Sequence, residues 1–258
     1  MHGCTRKCFE NPLTHSPLRV VLGLLLLLCT LGSPAQAQSR WQMVIGGTQD
    51  DGASGVVITA DGRYAIAGYA TTGVNRQPTI IKLDLNGTML FQRQYTFTGN
   101  AEFTSIRLTP DGGFILAGNI SNGGNDDIFV MKTDAAGVVT WTTVLDNSAS
   151  DGTFRDAVFP TADGGYVVCG FTSMTACVGT ACRATYVAKL TGAGAVAWQQ
   201  RIDMDANLED FAVTGATMAN GDYLIVGRTF QTGQGLRGYV MRLSAFTGAI
   251  IGPGQVTY

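Results

Sequence analysis

Charged residues, proline and histidine are all scarce in this sequence. Of its 258 residues only 14% are charged, the net charge is −2, and there are 7 prolines and 2 histidines. A nearly neutral chain gives no sign of the basic patch that binds nucleic acids or anionic membranes, so we expect neither as a partner. Both histidines, His2 and His15, lie in the first forty residues. The remainder therefore cannot build a serine–histidine–aspartate or cysteine–histidine catalytic centre.

Long apolar runs are also missing, apart from one near the N-terminus. Residues 20–31 are almost wholly apolar, follow several basic residues, and precede small residues at Ala35 and Ala37. This pattern predicts a secretory signal peptide over residues 1–37, cleaved after Ala37. A membrane anchor is the alternative, but a spanning helix needs about 20 apolar residues. We therefore expect a secreted domain over residues 38–258, extracellular, periplasmic or at the cell surface, without a transmembrane segment.

Glycine is abundant, with 34 residues, and much of it belongs to an internal repeat. Each copy reads as Asp-Gly or Asn-Gly followed by a β-branched or aromatic run that ends in Gly. The copies lie at residues 60–68, 110–118, 162–170 and 219–227. Asp-Gly and Asn-Gly between apolar runs are strong hairpin signals. The chain is therefore predicted to be all-β.

A second phrase follows each copy, and a third follows the first three copies in the same order. The second holds a cation and a later Gly, at residues 80–87, 129–137, 186–194 and 239–248, and the third is an aromatic at Phe91, Trp141 or Trp198. Together they predict four repeats of about 52 residues, each a four-stranded meander. The second strand is apolar at every position, so both of its faces should be covered by neighbouring copies. Radial stacking of such units gives a β-propeller and linear stacking a solenoid; we predict the propeller.

The outer, aromatic-bearing strand is predicted five times, although the other strands occur four times. Its extra copies lie around Trp41 and in residues 248–258. Either four blades close into a ring with one strand to spare, or the chain is an open arc. In the second case we expect self-association to complete the propeller.

The phrases resemble known repeats. Asp-Gly-Gly-Tyr-Val-Val-x-Gly followed by a Val-x-Lys-Leu phrase and an aromatic is similar to the delta-60-type repeats of bacterial secreted β-propellers. A weaker resemblance links residues 132–141 and 243–248 to the tryptophan-docking repeats of quinoprotein-like propellers. The first resemblance implies an extracellular propeller without shared catalytic residues.

The covalent feature that stands out is the cysteine pair Cys177 and Cys182. Exported chains meet oxidising conditions, so two close cysteines in a polar loop are expected to form a structural disulfide. Cys169 takes the place of Ala67 and Ala117 in a buried strand and is interpreted as a small buried hydrophobe. The recurring cations Lys82, Lys132, Lys189 and Arg242 are interpreted as structural, because a catalytic residue would break the repeat.

A ligand is expected at the rim formed by the loops between second and third strands. The candidate rim residues are Asn125, Asp126, Asp127, Gln231, Gln234 and Arg237. Carboxylates in such loops could hold Ca²⁺, but no calcium-loop spacing is present, and no cofactor is predicted.

The leading functional hypothesis is a non-catalytic secreted module that binds a protein or a glycan. A carbohydrate hydrolase or lyase, or a quinoprotein-like oxidoreductase, is the enzymatic alternative. A structural scaffold for assembly or adhesion is the third hypothesis.

Overall fold

The computed structural model describes residues 41–258, except for 122–123, 146–148, 175–181, 205–208, 232, 234, 253–255 and 258. The predicted signal peptide, residues 1–37, lies outside this range and stays a prediction. The described residues form seventeen β-strands and no helix, which confirms the all-β prediction. No helix in this part of the chain is long and apolar enough to cross a membrane.

The strands form four antiparallel sheets, numbered here in chain order. Sheet 1 contains β1 (Asp51–Ile58), β2 (Tyr64–Thr72), β3 (Asn75–Leu83) and β4 (Met89–Gln94). Sheet 2 contains β5 (Ala101–Leu108), β6 (Phe114–Ser121), β7 (Asp126–Thr133) and β8 (Val139–Leu145). Sheet 3 contains β9 (Asp151–Gly152), β10 (Val158–Pro160), β11 (Tyr166–Ser173), β12 (Arg183–Leu190) and β13 (Val196–Ile202). Sheet 4 contains β14 (Asp210–Thr217), β15 (Tyr223–Gln231), β16 (Gly235–Leu243) and β17 (Val256–Thr257).

Each sheet is a meander, as the repeat predicts. Sheets 1, 2 and 4 have the strand order first-second-third-fourth, and in sheet 3 the first strand is divided into β9 and β10, which both pair with β11. Glycine provides the positive φ in each first hairpin, at Gly62, Gly112, Gly164 and Gly221. The Asp or Asn before it keeps an ordinary φ, so the left-handed conformation falls on Gly alone.

The glycine that ends the first phrase has a different role. A Cβ on Gly118 would collide with the carbonyl oxygen of Glu102, and one on Gly227 with that of Phe211. In both sheets the first strand bulges beside this glycine, with register shifts between Phe103 and Ser105 and between Ala212 and Thr214. The recurring Gly therefore makes room for a bulged neighbouring strand.

Three apolar clusters join the sheets in chain order. One lies between sheets 1 and 2, the next between sheets 2 and 3, and the third between sheets 3 and 4. Neighbouring residues of β6 enter different clusters: Leu116 packs towards sheet 1 and Ile115 towards sheet 3, and both are fully buried. This explains why the second strand is apolar at every position.

The expected fifth outer strand is present only in part. Trp41 lies ahead of β1 and belongs to no strand, while the described part of β17, Val256 and Thr257, pairs with β16. By contrast, the outer strands β4, β8 and β13 are six or seven residues long. Of the two predicted extra segments, the C-terminal one thus forms a strand and the segment around Trp41 does not.

Candidate functional site

The recurring cation and the hairpin acid form an ion pair in every sheet. The Lys132 ammonium lies 2.8 Å from Asp111, and the Lys189 ammonium lies 2.9 Å from Asp163. Both lysines are buried, although their partner carboxylates are 64% exposed. In sheet 1 the corresponding distance, Lys82 to Asp61, is 3.9 Å.

These contacts lower the pKa values of the acids. Hydrogen bonds from Lys132 and Thr109 lower the pKa of Asp111 to about 2. Burial by itself would raise the pKa of Asp163, but hydrogen bonds from Thr161 and Lys189 outweigh it, and the pKa falls to about 2. A carboxylate with so low a pKa is ionised throughout the physiological range and is a poor proton acceptor. In sheets 2 and 3 the acid is therefore a charged partner that holds the buried lysine, which is a structural role.

Sheet 4 keeps the ion pair with exchanged residues. Asn220 stands where the other hairpins have Asp, and the acid has moved two positions on, to Asp222. Arg242 replaces lysine and donates to Asp222 through Nε at 2.9 Å and through Nη2 at 2.5 Å. The hydrogen bonds from Arg242 lower the pKa of Asp222. Retention of the pair despite two substitutions supports a structural role.

The predicted rim residues are only partly described. Gln234 lies outside the described residues, the side chain of Gln231 is not described, and Arg237 is half-buried in β16. The Asn125 amide donates to the carbonyl oxygen of Ala149 at 3.0 Å, and the Asp126 N–H donates to Ser150. Asp127 is 4% exposed. Asn125 and Asp126 thus join sheet 2 to the segment that enters sheet 3, and their proposed role in binding stays a prediction.

The cysteine predictions have different outcomes. Cys177 lies outside the described residues, so the predicted disulfide to Cys182, which is itself buried, stays a prediction. Cys169 is a free, fully buried cysteine in the cluster between sheets 3 and 4. Burial raises the pKa of its thiol to about 12. This confirms the interpretation of Cys169 as a small buried hydrophobe.

Tryptophans join each sheet to the next at a glycine turn. The Trp141 indole N–H donates to the carbonyl oxygen of Gly192 at 3.0 Å, and its ring fills the space where Gly194 would carry a Cβ. Trp198 repeats both contacts one sheet later, with Ala245 and Gly248. We call this arrangement tryptophan docking: an outer strand supplies the ring, and the turn of the following sheet receives it.

Two joints depart from that arrangement. Between sheets 1 and 2, Tyr95 donates to the carbonyl oxygen of Gly137 at 2.7 Å, and Arg93 donates to Ala136 at 2.5 Å. At the start of the described chain, Trp41 docks on the turn of sheet 1 itself, through the carbonyl oxygen of Leu85 at 3.0 Å. Trp41 thus occupies the place of an outer strand from a preceding sheet.

The outward face of sheet 4, which points away from sheet 3, is apolar and exposed. One repeat position, two residues before the recurring cation, is fully buried at Ile80, Val130 and Val187, whereas Val240 is 41% exposed. A second position, just before the recurring Gly, is also fully buried in sheets 1–3, whereas Val226 is 38% exposed. Sheet 4 therefore exposes positions that sheets 1–3 bury against the following sheet. In the described chain no sheet packs on them.

Sheet 4 also carries apolar residues where the other sheets are polar. Phe230 and Leu236 are cross-strand partners and are 40% and 50% exposed. The equivalent pairs are Thr71 with Arg76, Ser121 with Asp126 and Ser173 with Arg183. A terminal repeat that faced water would be expected to have a polar outer surface. The outward face of sheet 4 shows the opposite composition.

The outward face of sheet 1, which points away from sheet 2, is apolar as well. Val56 and Ile58 are 60% and 64% exposed, while Ile106 and Val158, which occupy the position of Val56 in sheets 2 and 3, are buried. A cleft of about 820 Å³ lies on this face, between its strands and residues 43–49. Thr79 lines the cleft where the following sheets have a buried aromatic, at Phe129, Tyr186 and Tyr239. The missing ring leaves room for the cleft.

The polar groups of this cleft are amides, hydroxyls and one carboxylate. Gln94 donates to the carbonyl oxygen of Ala70 at 3.0 Å. The Asp51 carboxylate accepts from the N–H groups of Thr71, at 3.0 Å, and Gly47, at 2.6 Å. In the described part of the chain no group of three or more His, Cys, Asp or Glu could hold a metal ion. Because both oxygens of Asp51 already accept backbone N–H groups, the cleft offers mainly apolar surface, amides and hydroxyls.

The outward faces were not among the predicted site residues. Their signals are present in the sequence, since Phe230 and Leu236 interrupt a polar repeat position and Thr79 interrupts an aromatic one. These departures can be recognised only after the strands are aligned in register. The long loops that suggested the rim do not indicate these strand positions.

Comparisons with known proteins bear on the fold. No family model and no curated protein matches the chain. A protein of unknown function from Bacteroides caccae is similar in structure, with a TM-score of 0.51 at 13% sequence identity. The match covers 84% of this chain and 64% of that protein, so the chain spans less than two thirds of its length. A similarity at this identity concerns the fold alone.

Weaker matches include two enzymes. The periplasmic gluconolactonase of Pseudomonas aeruginosa has a TM-score of 0.39 at 12% identity, over 78% of this chain and 71% of that enzyme. The cobalt-substituted apocarotenoid oxygenase of Synechocystis has a TM-score of 0.41 at 12% identity, over 79% of this chain and 60% of the oxygenase. These values are too low to carry an argument about activity.

Proposed function

We propose that this chain is an exported, propeller-type module that binds another protein and has no catalytic role. The four sheets repeat one design, with recurring ion pairs and docking joints, which supports a propeller-type repeat. The charged groups that recur in all four sheets form ion pairs within the fold, and this explains why they recur. The residues that depart from the repeat are exposed apolar side chains.

The observation that carries the proposal is the composition of the two outward faces. Val226 and Val240 on sheet 4, and Val56 and Ile58 on sheet 1, are exposed at or beside positions that other sheets bury. Exposed apolar surface in a contiguous patch indicates an interaction site. The exposed residues named on these faces are apolar, with the exposed Arg228 between Val226 and Phe230, so the faces suit a protein surface better than a glycan or nucleic acid.

The proposal is tested with a face variant and a matched control. The face variant is Val226→Gln with Val240→Gln. The control is Val139→Gln with Val196→Gln, which changes valines of similar exposure, 42% and 43%, on the outer strands of sheets 2 and 3. Binding to a purified partner, obtained from the producing cell's exported proteins, is measured by interferometry for each variant.

We expect the face variant to lose at least tenfold in affinity and the control to retain it. Equal affinity of both variants would contradict the proposal. A turnover of sugar, lactone or alcohol substrates that copurifies with the chain, and is abolished by a substitution in it, would favour the enzymatic alternative.

A further inference from the structure

Residues 41–45 have the features of an outer strand, although in the described chain they belong to no sheet. In sheets 1–3 the outer strand supplies the joint to the following turn, and the chain then continues into the first strand of the next sheet. Trp41 supplies that joint to sheet 1, and residues 46–50 lead into β1. Trp41 also packs on Tyr64 with ring centroids 5.8 Å apart, as Trp141 packs on Tyr166.

Sheet 4 has the complementary deficiency at its outer edge. Ile250 forms the bridge to Leu243 that opens the outer strand, so Gly252 stands where the other outer strands carry Phe91, Trp141 or Trp198. Glycine has no ring to dock. Among the described residues, β17 pairs with β16 at Tyr239 and Val240. In the described part of the chain, the edge of β16 thus pairs with a two-residue outer strand, and Gly252 stands at the docking position.

The two outward faces correspond to the two halves of one repeated interface. Sheet 4 exposes the positions that normally meet the following sheet, and sheet 1 exposes the positions that normally meet the preceding one. Their sizes are also complementary: Thr79 leaves a cleft in sheet 1, while Phe230 and Leu236 enlarge the apolar surface of sheet 4. The loss of a ring on one face is matched by bulk on the other.

We infer that sheet 4 of one copy packs on sheet 1 of a second copy, and that residues 41–45 of the second copy pair with β16 of the first in place of β17. This inference rests on the proposed function and names a second copy of this chain as the partner. The contact is head-to-tail, so repeated copies would form a ring or a filament. It continues the three interfaces that already join the sheets.

The register of this pairing follows from the other sheets. The residue two positions before the cation pairs with the residue two positions after the docking site: Ile80 with Arg93, Val130 with Thr143, and Val187 with Gln200. The corresponding pair is Val240 of the first copy and Met43 of the second. Directly opposed antiparallel residues lie close enough for a disulfide when both are cysteine.

The test is a cysteine cross-link in the full chain. The variant Met43→Cys with Val240→Cys is made alongside Met43→Cys with Leu236→Cys, in which the second cysteine is four residues out of register. Each is oxidised gently, and the products are separated under non-reducing conditions and mapped by peptide mass spectrometry. A 1:1 mixture of the Met43→Cys and Val240→Cys single variants provides the inter-copy control.

We expect disulfide-linked dimers and larger species from the in-register variant, heterodimers from the mixture, and at least tenfold less product from the out-of-register variant. A disulfide within one chain would overturn the inference, because the chain would then close on itself. Absence of any link between positions 43 and 240 would overturn it too. Either result leaves the binding experiment with a purified partner intact, so failure of the two proposals can be distinguished.

Discussion

The indole N–H of Trp41 donates to the carbonyl oxygen of Leu85 at 3.0 Å, across 44 residues of chain. Trp141 and Trp198 make the same bond at the same distance, each to the sheet that follows its own. Trp41 makes it without belonging to a sheet. This bond therefore marks where a preceding sheet would lie, and it locates the outward face of sheet 1 within the repeat.

Tryptophan docking can be tested by adding one methyl group at the receiving turn. In Gly194→Ala the new Cβ would lie 2.6 Å from the Trp141 ring, in a residue with φ of 85°. The positive φ costs about 1–2 kcal/mol, and overpacking adds about 1–3 kcal/mol. We expect the variant to lower the free energy of unfolding by the sum, measured by urea denaturation.

Gly112→Ala is the matched control for that experiment. Its φ is 79°, but no atom lies within 4 Å of the added Cβ. This variant should show only the backbone cost of about 1–2 kcal/mol. Equal destabilisation of the two variants would show that the Trp141 contact does not constrain the turn.

The buried lysine makes its ion pair more important than a surface pair. In Asp111→Asn, Lys132 would keep its bond to the carbonyl oxygen of Thr133 but lose its charged partner. A fully buried pair would cost about 3–5 kcal/mol to break, but the carboxylate is exposed to water, so we expect about 1–2 kcal/mol after screening. Thermal unfolding at neutral pH measures the loss.

The control is Asp156→Asn, which breaks the pair with Arg107 at 2.9 Å. Both of these side chains are exposed, 37% and 60%. Pairs of this kind contribute less than about 1 kcal/mol. If Asp156→Asn lowered the melting temperature as much as Asp111→Asn, burial of the lysine would be irrelevant to the stability of the fold.

Acid should destabilise the fold in a defined pH range. The pKa values of Asp111 and Asp163 are about 2 in the folded chain and about 4 when unfolded. Because the folded pKa is the lower one, their contribution to stability is complete above pH 4 and is lost as the pH falls towards 2. Urea midpoints at pH 7, 4, 3 and 2.5 should therefore fall more steeply for the wild type than for Asp111→Asn with Asp163→Asn. Parallel curves would contradict the assignment.

The thiol content tests both cysteine interpretations at once. Cys169 is fully buried with a pKa of about 12, so it should not react with a thiol reagent while the chain is folded. In denaturant we expect one reactive thiol per exported chain, since Cys177 and Cys182 are predicted to form a disulfide. Three thiols would refute the disulfide. Cys169→Ala should fold normally, as Ala67 and Ala117 occupy the same position, and it should show no thiol at all.

Much of this structure could be predicted from local patterns. Turn conformation and strand pairing within a meander depend on residues that are close in sequence. The Asp-Gly hairpins, the four-stranded meanders and the burial of both faces of the second strands could therefore be predicted. The structural role of Lys132 and Lys189 was also predictable, since both recur at one repeat position. The buried Cys169 followed from alignment with Ala67 and Ala117.

The sequence by itself determined the repeat, the class of fold and the residues of each sheet. The tertiary structure alone decided which apolar residues remain exposed: Val240 and Val130 are the same residue at the same repeat position, but in the described chain only Val130 has a following sheet packed on it. It also decided that Trp41 docks on sheet 1 instead of pairing as a strand, and that Phe230 meets Leu236 across two strands. Burial and register depend on contacts between distant parts of the chain, which a local pattern does not specify.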